Sequence, residues 1–124
     1  MDQSNTKKMA LLESILDHMK IAVTCVDKDG VILYANATAK NRPSKTPRDV
    51  GLNIGKCHKD KSNEKIAAIF RDFKNGRSEP HHYVATAGSK KELITMIPMF
   101  ERGEFSGCVS HIYPLKFQGP ERSF

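Results

Sequence analysis

The stretch IAVTCVDKDGVILYAN, residues 21–36, constrains the fold more than any other part of the chain. Two short β-branched runs, IAVTCVD (21–27) and VILYAN (31–36), are separated by little more than DKDG (27–30). Gly30 stands where such a turn needs positive φ, so the two runs fold back on each other as an antiparallel hairpin. A hairpin has to extend into a larger sheet to be stable in water. Three further runs supply the strands: HHYVATA (81–87), KELITMIPMF (91–100) after a Gly-Ser-Lys turn, and FSGCVSHIYPL (105–115) after Arg102-Gly103-Glu104.

The helical signals lie between and before these strands. Over residues 4–19, Met9, Leu12, Ile15, Leu16 and Met19 form one apolar stripe, with Ser4 or Asn5 placed to cap it. The stripe precedes the compact part of the chain, so it packs either on its own domain or against the same helix of a second copy. The segment ATAKNRPSKTPRDVG (37–51) has two prolines and is largely polar, which leaves room only for short helical turns. After His58, Asp60 or Ser62 is placed to cap a longer helix. Ile66, Ile69, Phe70 and Phe73 form its buried face and Asn75-Gly76 ends it. This order predicts an α+β fold, a five-stranded antiparallel sheet with helices gathered on one face and an N-terminal amphipathic helix. The expected divisions are 1–19 for that helix, 20–115 for the domain and 116–124 for a tail or linker stump.

A chain of 124 residues suits a single core, and 39% hydrophobic with 27% charged residues suits a water-exposed globular domain. Its apolar runs are too short to span a bilayer, and no apolar stretch follows MDQSNTKK, so a cytoplasmic location is expected. Cys25, Cys57 and Cys108 are widely spaced with no C-x-x-C pair, which argues against a zinc ribbon, a thioredoxin-like site or covalently attached haem. The net charge of +6 is spread through the sequence, with acids among the bases and no interleaved aromatics. That is a solvated surface and not a nucleic-acid groove. No G-x-S-x-G, P-loop or H-E-x-x-H is present, and no paired acids stand at a catalytic spacing. No enzymatic activity is therefore expected.

The residues of the first hairpin, VTCVDKDGVILYAN (23–36), and of the last strand, GEFSGCVSHIYPL (103–115), resemble those of the PAS sensory domain. The resemblance covers about residues 10–115 and implies the PAS fold. A narrower likeness lies in CHKDKSNEKIAAIFRDFKNGR (57–77), which is similar to a C-H-P-x-K-S, helix, F-x-x-G-[KR] segment of some bacterial PAS domains, certain of them joined to hemerythrin-like modules. A comparable H-P-x-K-S stretch in the haem-binding PAS domain of carbon-monoxide-responsive transcription regulators supplies an axial haem ligand, at the position of His58 here. Lys59 stands in place of the proline. The flavin-binding N-C-R-F-L-Q motif has no counterpart.

His58 is either a polar residue at a helix start or a ligand. Positions 58, 62, 66, 69 and 73 fall close to one helical face, so a helical turn at 58 aims the imidazole toward Ile66 and Phe73. The resemblance then implies haem b, with Ile66, Phe70, Phe73 and Met96 as apolar walls. His81 and His82 are adjacent on one strand, so only one can face the pocket; either both are surface histidines, or the inward one is the second axial ligand that the resemblance implies. Met96 and Met99 serve as packing or as alternative ligands, and Cys57 as a free thiol or a redox-active one. Cys25, Cys108 and His111 are plain strand residues. A metal site of His58, Cys57 and a strand histidine is a further reading. Two functions follow. One is a haem-bearing sensor of a diatomic gas or redox state. The other is a haem-free interaction module, with or without another small apolar ligand, that forms a homodimer through the N-terminal helix.

Overall fold

Asp27 builds the first turn. Its carboxylate accepts from the backbone N–H of Asp29 (2.9 Å) and Val31 (3.0 Å), and Gly30 closes the turn at φ +85° by donating to the Asp27 carbonyl. The expected glycine conformation is therefore present. The structure, a computed structural model, describes residues 3–41, 49–54, 60–87 and 90–115. Strands β1 (Ala22–Asp27) and β2 (Ile32–Ala35) flank the turn. Beyond them come β3 (His81–Ala87), β4 (Lys90–Glu101) and β5 (Glu104–Pro114). The order across the sheet is β2-β1-β5-β4-β3, and every neighbouring pair is antiparallel.

The β4–β5 turn places Arg102 at φ 54° and Gly103 at φ 80°. Two successive left-handed residues match the right-handed twist of a tight hairpin. Four residues on, Gly107 lies where β5 presses on β1. A Cβ built there would sit 2.3 Å from the Val26 carbonyl oxygen, so only hydrogen fits.

Registered partners in an antiparallel sheet share a face. His81, Met96, Ser110 and Thr24 therefore lie on one face, as do Tyr83, Ile94, Ile112 and Ala22. This inner face is covered by helix α3 (Asp60–Lys74), whose Ile69, Phe70 and Phe73 pack with Val26, Ile32, Ile54, Met96 and Cys108. Phe73, Ile32 and Cys108 are completely buried. The end of α3 follows the expected glycine pattern. Gly76, at φ +103°, donates to the Phe73 carbonyl and Arg77 to that of Asp72, which satisfies two orphan carbonyls. Asp60, one of the two expected caps, is the first residue of α3 itself.

Helix α2 (Ala37–Lys40) is one turn, capped by Asn36. Asn36 is fully buried and uses its whole amide. Oδ1 accepts from Val23 N (2.9 Å) and Ala39 N (3.0 Å), while Nδ2 donates to the carbonyls of Leu16 (2.8 Å) and Ile21 (2.9 Å). The residue thus ties β1, α2 and helix α1 (Gln3–His18) together. Asp17 adds to the tie by accepting from the Tyr34 hydroxyl (2.9 Å) and Ala37 N (3.0 Å). Because α1 begins at Gln3, Ser4 and Asn5 lie inside its first turn and not at its cap. Apart from the half-buried Leu16, the apolar stripe of α1 stays largely open to solvent. Met9, Leu12 and Ile15 are 54%, 50% and 51% exposed, and no residue of the helix is buried.

Candidate ligand groove

Between α3 and the inner face, the space is filled by rings. Phe105 meets Phe70 at 5.6 Å and Phe73 at 5.8 Å between centroids, and Phe73 meets His81 at 5.4 Å. Met96, registered opposite His81, is buried among them. The available room lies to one side, in an open groove of about 550 Å³ between α3 and the Asp27–Gly30 turn. Ile54, Ile66, Ala67 and Phe70 form its apolar part; Lys28, Arg71 and Lys74 stand around it with Asp29, Asn53 and Asn63. The volume is that of a small-molecule site. A second groove of about 470 Å³ continues past Lys28 and Lys74 to Phe100 and Phe105.

The anticipated site residues fall in different places. His58 and Cys57 lie in residues 55–59, outside the described residues. Ile54, the last described residue before that part of the chain, and Asn63, four residues after it, both line the groove. Ile66 and Phe70 line it too, whereas Phe73 and Met96 belong to the filled core. His81 is on the inner face, where its Nε2–H donates to the Asp72 carboxylate at 3.0 Å. His82 is on the outer face, exposed, and shares a 3.0 Å hydrogen bond with the Thr95 hydroxyl. A group held between α3 and the sheet has access to His81 and none to His82.

The donor set can be tested against haem. The groove offers an apolar wall for a macrocycle and cations for its acidic side chains. His81 keeps only Nδ1 for a metal while Asp72 holds Nε2, and a carboxylate holding the second nitrogen is a usual support for a ligating histidine. Among the described residues, no three His, Cys, Asp or Glu side chains are grouped to hold a metal ion. Burial pushes the Cys108 thiol up to about 12 and raises that of Cys25, so both are protonated packing groups near neutral pH. The Tyr34 phenol is likewise pushed up to about 12, first by desolvation and then by the hydrogen bond and charge of Asp17. Met99 is half-buried, against Gly107 of β5.

Sequence reading missed the cations around the groove, because Lys28 lies more than forty residues before Arg71 and Lys74 and no local pattern joins them. It also left open which histidine faces inward, which only the register of β3 against β4 decides.

No helix among the described residues is long and apolar enough to cross a membrane. No curated protein matches the chain in sequence. Solved structures match it in shape. The C-terminal domain of a Streptococcus mutans protein is 24% identical with a TM-score of 0.70, over 87% of this chain and 85% of that one. A sensory box sensor histidine kinase from Vibrio cholerae is 18% identical with a TM-score of 0.65, over 94% and 100%. The PAS domain of BvgS from Bordetella pertussis is 13% identical with a TM-score of 0.66, over 90% and 89%. The family model described as PAS domain matches residues 12–113, from the middle of α1 to the last turns of β5, and with the sheet order and the α3-covered face this places the chain in the PAS domain family of sensory modules.

Proposed function

We propose that this PAS domain is the input module of a signalling protein and takes its ligand in the groove between α3 and the Asp27–Gly30 turn. The C-H-x-x-K-S likeness makes haem b the specific ligand, with His58 as its axial histidine and a diatomic gas or redox state as the signal. One observation carries the reading: the residues on both sides of the His58 segment, Ile54 and Asn63, line this groove together with Ile66 and Phe70. His81 faces inward but packs on Phe73 and does not line this groove, so His58 is the one axial histidine proposed. One of the solved neighbours named above, from Vibrio cholerae, is a sensor histidine kinase, which supports an output domain of that kind.

The test is a hemin titration of the purified chain. A sharp Soret band is expected in the wild type and lost in His58→Ala. His81→Ala and His82→Ala, at positions that do not line the groove, both retain the haem. A wild-type spectrum identical to that of free hemin overturns the haem assignment.

A second reading has its own support. The exposed stripe of α1 suits a homodimer in which two copies cover each other's Met9, Leu12 and Ile15. Light scattering on the whole chain tests it, and a monomer at high micromolar concentration overturns it.

A further inference from the structure

Three cations around the groove have no partner that accounts for them. Lys28 projects from the first turn, while Arg71 and Lys74 stand one helical turn apart on α3. None of the three forms an ion pair with a carboxylate among the described residues; Asp29 lines the groove with them, and Glu104 stands with Lys28 and Lys74 in the adjoining groove. Arg71 and Lys74 also suit the negative end of the α3 dipole. Lys28 is not on a helix, so that account leaves it unexplained. Next to the cations lies the apolar part of the groove, Ile54, Ala67 and Phe70. Positive charge beside low-dielectric walls concentrates anions.

We propose that the groove selects amphipathic carboxylates: an apolar body against Ile54, Ala67 and Phe70, and a carboxylate held by Arg71, Lys74 and Lys28. Arg71 supplies the planar fork that binds a carboxylate through two parallel hydrogen bonds, and the lysines supply charge. The proposal rests on the groove being the ligand site, as above, and not on iron. Haem is one amphipathic carboxylate of this kind. An aryl or alkyl acid without metal meets the same recognition.

The experiment uses 4-phenylbutyrate and its neutral analogue 4-phenylbutan-1-ol, titrated into the full chain by calorimetry and by amide NMR. The acid is expected to bind about tenfold or more tightly than the alcohol, with the gap narrowing at high salt. Amide shifts are expected at Gly30, Asn53 and Ala67. Arg71→Gln with Lys74→Gln is expected to erase the preference and leave the alcohol's affinity unchanged. Lys28→Gln, at an exposed turn position, reduces the preference and provides a check if the double variant fails to fold. Equal binding of acid and alcohol, no binding of either, shifts elsewhere on the domain, or an unchanged preference in the charge-removed variants each overturn the proposal. Hemin titration separates the two ideas. If His58→Ala loses haem and keeps the acid preference, both stand. If the wild type ignores hemin and still prefers the acid, only the iron reading falls.

Discussion

Gly107 and Asn36 show how much single residues carry in this domain. At Gly107 the missing Cβ is required by the backbone of β1, since the clash is with a carbonyl oxygen that has no rotamer to escape by. Gly107→Ala is therefore expected to cost about 2 kcal/mol or more, read as a lower denaturant midpoint. The same change at Gly103, which meets no neighbour, acts only through its positive φ and costs less. Asn36→Ala removes four hydrogen bonds at a fully buried position and leaves their backbone partners unsatisfied, for an expected loss of about 3 kcal/mol. Cys108 makes stability depend on alkaline pH. Its thiol ionises near the ordinary 9.0 in the unfolded chain and near 12 when buried, so between those values the folded state binds more protons. By linkage, the stabilisation is full below about pH 9 and is lost as pH rises toward 12. Unfolding measured at pH 8 and pH 10.5 is expected to show a shallower decline for Cys108→Ala than for the wild type, on top of that variant's lower starting stability.

At the scale of elements, the strands and the long helix were legible because their signals are local. Gly30 and Gly103 mark turns, alternating β-branched residues mark strands, and Ile66 to Phe73 keep one helical face. The orientation of β3 was not legible, because His81-Tyr83-Ala85 and His82-Val84-Thr86 are equally mixed in polarity. A one-residue difference in register exchanges the two faces, and only pairing with β4 sets it. The stripe on α1 was legible, but nothing in a periodicity says what covers it. If a second copy does, Leu12→Asp with Ile15→Asp is expected to give a monomer by light scattering. A dimer that survives both changes excludes this helix as the contact.

The whole molecule has two regions of unmatched chemistry, a groove beside α3 and a helix whose apolar stripe lies in water. Sequence reading placed Ile66 and Phe70 at a ligand site and they line the groove. It also placed Phe73 and Met96 there, but these fill the core with Phe105. The difference is one of helix azimuth: Phe70 is turned toward both the groove and the core, and Phe73 toward the core alone. The two regions connect through the first hairpin, whose turn borders the groove and whose second strand leads into Asn36.

The anchoring of α1 has a mechanical consequence. Glu13, Leu16 and Asp17 hold the helix to the hairpin through Tyr34, Asn36 and Ala37. From Leu16 back to Gln3 the helix runs about 20 Å, so a tilt of about 10° at its base swings the far tip by about 3 Å, over half the rise between successive turns. The hairpin and its asparagine stand at the base of this arm, so any tilt there would be magnified at Gln3.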